Sequence, residues 1–237
     1  MTDSLALSDR LRLDGYEPAR GEAPGEWESQ SFDLDVLAQH HTADDAHSYF
    51  LLHDTSATWG YPGMPQIAAL HLTRDPASMT FCSDFVRLPL PAMAQSWLIA
   101  RGCPADAIQL GEQVGTSAAD DVTRALETRL TSDGDRFALL HSYTEDSEPV
   151  RIAALLRAVD GSRPPFRILL ETTDLQAGTH TLREAPFATY EAATQWWEKY
   201  WEGEVTTLPD PAQTTSLTLR PSEYPPGCSA PPGPSRR

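Results

Sequence analysis

A short pattern that occurs twice constrains the fold of this chain more than any other feature. Leu-Leu-His stands at residues 51–53 and again at 139–141, and Ile-Ala-Ala-Leu follows each copy, at 67–70 and at 152–155. Several short matches in the same order predict a repeated structural unit, because each copy of a repeat has the same apolar face to bury. We therefore expect two degenerate copies of one unit in tandem.

Each copy has the hydrophobic pattern of a small α+β unit with the order α-β-β-β-α. Short connections favour antiparallel sheets. The expected units are residues 31–103 and 117–204, with a linker at 104–116, and we expect them to pack as a pseudo-symmetric pair. The predicted helices are 34–41, 91–101, 117–130 and 187–202, and the predicted strands are 48–53, 66–73, 79–85, 136–143, 150–159 and 166–172.

The two ends of the chain differ from these units in composition. Residues 1–30 mix Gly, Pro and acidic residues without a steady period, so we expect a loosely ordered acidic segment. We favour a solvated arm there over a segment that engages a basic protein. Residues 205–237 form a Pro-rich tail, and from about residue 221 it holds too much Pro and Gly to pack, which predicts disorder.

The charge of the chain excludes two classes of partner. Lys and Arg number 18 against 34 Asp and Glu, which gives a formal net charge of −16. Such a field repels phosphate backbones and anionic lipid headgroups, so we expect neither direct nucleic-acid binding nor membrane binding. If the partner is another protein, the charge favours a basic one.

Three further features favour a bacterial protein of the cytoplasm. Residues 1–13 lack the apolar run of a secretory signal, and no apolar stretch has the length of a membrane span. The three cysteines lie far apart and form no CxxC pair, as is typical of a reducing compartment. Lys199 is the only lysine, which indicates the codon bias of a high-GC bacterial genome.

Common catalytic signatures are absent from the sequence. It contains no phosphate-binding G-K-[ST], no G-x-G-x-x-G, no H-E-x-x-H and no G-x-S-x-G. We therefore assign no catalytic residues and no cofactor. Whether the protein is an enzyme stays open, and the absence of these motifs argues against catalysis.

A histidine-rich segment holds the densest set of metal-ligand side chains. His40, His41, Asp44 and His47 lie within eight residues, and imidazole with carboxylate suits zinc, nickel or iron. The same segment falls at a predicted helix end and turn, where Asp and His are common for structural reasons. We favour the turn and keep these four residues as weaker metal candidates.

Two histidines occupy the same position in the repeat. His53 and His141 each follow Leu-Leu. Such a pair could shuttle a proton or sense pH. A structural role at the end of a strand is the simpler interpretation, and we favour it.

The hairpin connection at residues 58–65 is the best candidate for a binding surface. It carries Trp59, Tyr61 and Met64 between Pro and Gly residues, and exposed aromatic and Met side chains are enriched in binding hot spots. The corresponding segment of the second copy, residues 145–149, is acidic and has no aromatic residue. The alternative is that Trp59 and Tyr61 fold back to cap the core between the units.

The last predicted helix carries more aromatic surface than one sheet needs. Tyr190, Ala193, Trp197 and Trp201 make one stripe at helical spacing, which is typical of a core. Trp196 lies at the margin of that stripe and widens the apolar face. That excess could meet the other unit, a second copy of the chain or a foreign partner, and we favour the other unit.

The sequence therefore favours a non-catalytic, acidic protein-interaction module of the adaptor, chaperone-like or inhibitor/immunity type. Its candidate partner-binding residues are Trp59, Tyr61, Met64 and Trp196. The alternative is a small-molecule enzyme or binding protein with a cleft between the two units, in which His53 and His141 supply acid–base groups. A homodimer is compatible with both.

Overall fold

The computed structural model describes residues 7–20, 33–111 and 114–209. These residues form helices and two five-stranded mixed sheets, which confirms the α+β fold class. The strands are β1 (Glu17–Pro18), β2 (Leu34–His41), β3 (His47–Asp54), β4 (Ile67–Asp75), β5 (Thr80–Leu88), β6 (Ser117–Ala118), β7 (Phe137–Glu145), β8 (Val150–Ala158), β9 (Phe166–Asp174) and β10 (Thr179–Phe187). The helices are α1 (Leu7–Arg10), α2 (Ala57–Gly60), α3 (Pro91–Ala100), α4 (Asp121–Thr131) and α5 (Tyr190–Trp201), and a 3-10 helix covers Ala105–Ile108.

The two sheets have the same strand order. The first runs β1-β5-β4-β3-β2 and the second runs β6-β10-β9-β8-β7. In each sheet four consecutive strands pair antiparallel, and a two-residue strand then pairs parallel with the last of them. The sheets are therefore mixed, whereas the sequence predicts purely antiparallel ones.

The helix predicted over residues 34–41 is wrong, because this segment is strand β2 and pairs antiparallel with β3. A bulge between Val36 and Ala38 shifts the register. Before the bulge, Leu34 and Val36 pack on one side of the sheet, and after it Ala38 packs on the other. The extra residue breaks the period of two by which a strand is recognised, and the sequence then resembles a helix.

Strand β10 is absent from the sequence prediction, although it pairs with β9 over its whole length. Its alternation is visible in the burial of His180 and Leu182 on one face and of Ala185 and Phe187 on the other. Pro186 argues against a central strand, but strand β6 covers only the other end of β10, so Pro186 lies at an open edge. With β2 and β10 included, the order α-β-β-β-α is wrong, since each unit has four long strands followed by a helix.

The sequence matches that suggested the repeat fall on strands in different positions. Residues 51–53 lie in β3, an inner strand, whereas residues 139–141 lie in β7, an edge strand of the second sheet. By strand order the counterpart of β7 is β2, and both strands carry a bulge. His53 and His141 therefore do not occupy equivalent positions.

Helix α3 packs against both sheets. Its residues Ala94 and Leu98 lie in the core of the first sheet with Leu51 and Ala69. Its first turn lies in a core built on the second sheet, together with α4. Because α3 packs on both sheets, the linker that follows it lies close to α4 and the second sheet.

Residues near the start of the chain belong to the first sheet, although the sequence predicts a loosely ordered segment. Leu7 and Leu11 are buried in its core, and β1 pairs with β5. The buried guanidinium of Arg74 donates to the carbonyls of Leu11 and Arg12, which holds this segment on the sheet. The rest of the predicted acidic segment, and the tail from residue 210, lie outside the described residues.

Among the helices of the described residues, none has both the length and the apolar character needed to span a membrane.

Candidate functional site

The connection between β3 and β4, residues 55–66, has a fixed base; we call it the aromatic loop. The Asp54 carboxylate accepts hydrogen bonds from the Ser56 amide and hydroxyl, both at 2.9 Å. The same carboxylate forms an ion pair with Arg87 at 2.6 Å. The Asp54 amide also donates to the Gln66 carbonyl at 2.7 Å, which closes the loop. Burial alone would raise the pKa of Asp54, but the hydrogen bonds from Ser56 and Arg87 outweigh it and lower the pKa.

The far end of the aromatic loop docks on the second sheet. The Thr144 amide of β7 donates to the Gly63 carbonyl at 3.1 Å. Gly63 has a φ of +83°, and a Cβ there would lie 2.4 Å from Cδ2 of Tyr143. Only glycine fits this position, for reasons of both conformation and space. The loop is therefore held at its base by the first sheet and near its tip by the second.

The structure places the two aromatic side chains of the loop in solvent. Trp59 is 86% exposed and Tyr61 is 67% exposed. Met64 is partly buried, and Ala57 is the residue of α2 that turns inward. The backbone of the loop spans the junction between the sheets, while both rings point away from it.

The acidic hairpin, residues 145–149, lies beside the aromatic loop. The Asp146 carboxylate accepts hydrogen bonds from the Thr58 hydroxyl at 3.0 Å and from the Gln66 amide group at 3.3 Å. Glu145 pairs with Arg151 within the second sheet. The two segments that sequence analysis treats as counterparts are thus joined through Asp146 into one composite surface.

Trp196, the fourth candidate for partner binding, lies in the core of the second sheet and is 9% exposed. Its ring stacks on Tyr200 with centroids 5.0 Å apart, and its indole N–H donates to the Thr207 carbonyl at 3.3 Å. The buried face of α5 consists of Ala193, Trp196 and Tyr200. Tyr190, which the sequence places in the core stripe, is exposed.

The metal candidates are dispersed over a strand, a turn and a second strand. His40 stacks on Tyr49, whereas His41 packs on Phe50 on the opposite face of the sheet. The Asp44 carboxylate accepts a hydrogen bond from the Ala46 amide and shapes the turn. The described residues contain no group of three or more ligand side chains that could hold a metal ion.

His47 instead belongs to a stack of rings on the first sheet. Its Nδ1 lies 3.1 Å from Nε2 of His71, and His71 stacks on Tyr49 with centroids 4.6 Å apart. Burial lowers the pKa of His71, and the neighbouring His47 lowers it further. The buried position of His71 in the stack therefore favours its neutral imidazole.

His53 and His141 lie in different sheets and do not meet. His53 pairs with Asp35 across the first two long strands. His141 lies on β7, with Nε2 at 2.6 Å from the Tyr190 hydroxyl. Neither lines the cleft described next.

A cleft of about 870 Å³ lies between helix α3 and the second sheet. Its walls are α3, the linker that follows it, α4 and one face of the second sheet. Volumes of this order are typical of small-molecule sites. The residues that line it include Ala92, Gln95, Ile99, Leu110, Val114, Thr116, Glu127, Thr131, Glu171 and His180.

Three titratable groups converge in this cleft. His180 Nε2 lies 2.7 Å from the Glu127 carboxylate, and His180 Nδ1 lies 2.9 Å from the Thr116 hydroxyl. Glu171 lies diagonally across β9 and β10 from His180, on the same face of the sheet. Both nitrogens of His180 are therefore engaged, and Glu171 interacts with His180 through charge.

The surroundings shift the pKa values of two of these groups upward. The hydrogen bond to Glu127 raises the pKa of His180 despite its burial. Burial raises the pKa of Glu171 to about 7, against an ordinary value of 4.5; the charge of His180 opposes this shift, and the Glu127 carboxylate adds to it. Glu171 is partly open to the cleft, but protein atoms surround it elsewhere and withhold water from the charged form.

Sequence reasoning missed this cluster for a definite reason. Its members come from the linker, α4, β9 and β10, and β10 was not recognised as a strand. The alternation around Leu182 was the available signal, and it would have placed His180 and Leu182 on one face of a strand.

No protein-family model, no curated protein and no solved structure matches this chain.

Proposed function

We propose that this protein is a non-catalytic interaction module that captures a basic segment of another protein. The binding surface consists of the aromatic loop and the acidic hairpin, with Trp59 and Tyr61 as the contact residues. The observation that carries this proposal is the 86% exposure of Trp59 on a loop that is fixed at both ends.

The exposed rings offer binding energy that the folded monomer does not use. Burying the Trp59 side chain at an interface would contribute roughly 2 kcal/mol. Tryptophan and tyrosine are enriched among the residues that dominate interface energetics. Trp59 and Tyr61 are therefore the strongest anchors that the described surface offers.

The anchoring of the loop reduces the entropic cost of binding. Hydrogen bonds to Asp54 hold its base, and contacts of Gly63 and Thr58 hold the rest against the second sheet. A surface ordered in advance loses less freedom on association than a mobile loop does. This supports binding over a merely incidental exposure of the two rings.

The chemistry of the surface favours a basic partner. The Asp146 carboxylate of the hairpin accepts a hydrogen bond from Thr58, the residue before Trp59. Arginine and lysine side chains bind aromatic faces through cation–π contacts and carboxylates through charge. The net charge of −16 would also speed the approach of a cationic partner.

The test compares three forms of the tagged full-length protein, purified gently from lysate of the host organism. They are the wild type, a Trp59→Ala/Tyr61→Ala variant and a Val159→Ala/Leu175→Ala control. Val159 and Leu175 are also exposed apolar residues, at 60% and 57%, so the control removes similar surface elsewhere.

Native mass spectrometry of the wild type should show one discrete additional protein mass, which dissociates as salt is raised. The Trp59→Ala/Tyr61→Ala variant should lose that mass and keep its melting temperature within about 2 °C, because exposed substitutions have small effects on stability. The control should retain the partner. A partner that survives in the aromatic variant, or a variant that unfolds, contradicts the proposal, and an added mass equal to this chain indicates a homodimer instead.

We also propose that the two units are degenerate copies of one ancestral unit that pack as a pseudo-symmetric pair. The support is the common strand order and the bulge in the first long strand of each sheet. The correspondence would then run from β2 to β7 and from β3 to β8, one strand away from the register of the sequence matches.

A further inference from the structure

The cleft between α3 and the second sheet has the properties of a second, independent binding site. Its volume of about 870 Å³ is large enough for a small organic molecule. Ile99, Leu110 and Val114 line it together with the polar cluster around His180. The aromatic loop contributes no residue to this lining, so the cleft has to be explained separately.

The described lining of the cleft is acidic. It contains Glu127, Glu171 and His180 as titratable side chains, and no Arg or Lys. Glu127 and His180 form an ion pair when the imidazole is protonated, and the Thr116 hydroxyl then accepts a hydrogen bond from the second N–H of the ring. That pair is neutral as a unit, which leaves Glu171 as the group whose charge is not balanced.

Glu171 has no donor within the structure described. No side chain or amide of the described residues gives its carboxylate a hydrogen bond, although it lies on the sheet beside buried Leu182 and faces the cleft. The charge of His180 partly stabilises this carboxylate, and a proton or a cation that enters from the cleft would stabilise it further.

We propose that the cleft binds a small organic cation, a primary amine or amidine with a compact apolar body, whose charged group donates to Glu171. The apolar part would lie against Ile99, Leu110 and Val114. The Glu127 carboxylate would accept a further hydrogen bond from the charged group, because both nitrogens of His180 are already engaged.

The same geometry predicts how binding depends on pH. The elements packed around Glu171 present His180 from β10 and Glu127 from α4 as titratable groups, whereas β8 presents Ile152 and α3 presents Gln95. Because the pKa of Glu171 is about 7, its carboxyl group is partly protonated at neutral pH when no ligand is bound. Binding of a cation releases that proton, so affinity should rise as pH increases through 7 and then level off.

Isothermal titration calorimetry of the full chain with benzylamine and with benzyl alcohol tests the proposal. The two probes share an apolar ring and differ in charge. At pH 8 benzylamine should bind at least tenfold more tightly than benzyl alcohol. At pH 5.5 its affinity should fall roughly thirtyfold, because the ionised fraction of Glu171 falls about tenfold for each pH unit below its pKa.

A variant with Glu171→Gln should lose the preference for the amine and the pH dependence together. Glu198→Gln is the matched control, since Glu198 is an exposed carboxylate on α5, outside the cleft, and the change in charge is the same. Equal binding of the alcohol, no binding of benzylamine at millimolar concentration, or an unchanged affinity in the Glu171 variant each overturn the proposal. None of these outcomes bears on capture of a protein by the aromatic loop.

Discussion

Replacement of Glu171 by Gln should stabilise this protein at alkaline pH and have almost no effect on it in acid. The substitution keeps the size of the side chain and removes its ability to ionise. Glu171 lies against the second sheet at the wall of the cleft, where its charged form is poorly solvated. The wild type therefore loses stability whenever this carboxyl group has to ionise.

The magnitude follows from the pKa. Burial raises the pKa of Glu171 to about 7, from an ordinary value of 4.5. Since each pKa unit corresponds to ~1.4 kcal/mol, ionisation costs about 3 kcal/mol more in the folded protein than in the unfolded chain. Below pH 4.5 the group is protonated in both states and costs nothing. Between pH 4.5 and 7 the folded state binds more protons, so wild-type stability falls as pH rises, and above pH 7 the full cost applies.

Urea unfolding at pH 4 and at pH 8, followed by tryptophan fluorescence, measures this difference. Trp196 lies in the core of the same sheet and reports on its unfolding. The Glu171→Gln variant should match the wild type at pH 4 and exceed its unfolding free energy by about 3 kcal/mol at pH 8. A variant that is less stable than the wild type at pH 8, or equally more stable at both pH values, refutes the reasoning.

Three further substitutions test the packing of the first sheet and its loop. Gly63→Ala should lower the unfolding free energy by about 2 kcal/mol, because its Cβ meets the Tyr143 ring at a positive φ; calorimetry that shows an unchanged melting temperature contradicts this. Asp54→Asn should cost about 3 kcal/mol at pH 7, because it removes the carboxylate partner of the buried Arg87 guanidinium. Since the pKa of Asp54 is lowered, this loss of stability should persist at pH 5 and fade only below the ordinary value of 3.8. Chemical denaturation at pH 7 and pH 5 should therefore give the same difference between variant and wild type, and a smaller difference at pH 5 contradicts this. His71→Phe should keep the ring stack and reduce the loss of stability between pH 7.5 and 5.5, because the lowered pKa of His71 makes its protonation unfavourable in the folded state; identical acid sensitivity of the two proteins in thermal melts argues against that account.

Regular amphipathic patterns made much of the fold predictable from the sequence. The strands predicted over residues 48–53 and 66–73 correspond to β3 and β4, and the helix predicted from Pro91 matches α3 closely. The connection that carries Trp59 was correctly expected between two strands. In these places the local pattern and the final packing agree.

Long-range pairing determined what the sequence could not predict. The bulge in β2 disrupts its alternation, and Pro186 weakens the strand pattern of β10, yet both segments are strands because a neighbour pairs with them along most of their length. Tertiary context of this kind overrides local propensity. The two-residue strands β1 and β6 are recognisable only once β5 and β10 are in place.

The acid cluster of the cleft was beyond sequence reasoning for a related reason. Glu127, Glu171 and His180 meet only because α4 packs on the face where β9 and β10 lie side by side. His53 and His141 each end the tripeptide Leu-Leu-His, but they lie in different sheets. Short sequence matches therefore identified similar strands without identifying which side chains converge.

Photo-crosslinking in the host organism tests the proposed interaction most directly. A photoreactive amino acid in place of Tyr61 should yield one discrete covalent product with another protein on irradiation, because this side chain is 67% exposed on the proposed binding surface. The same amino acid in place of Val159, a comparably exposed position at 60%, should yield none. No discrete product from position 61, or the same product from both positions, would contradict the assignment of the aromatic loop as the site of partner capture.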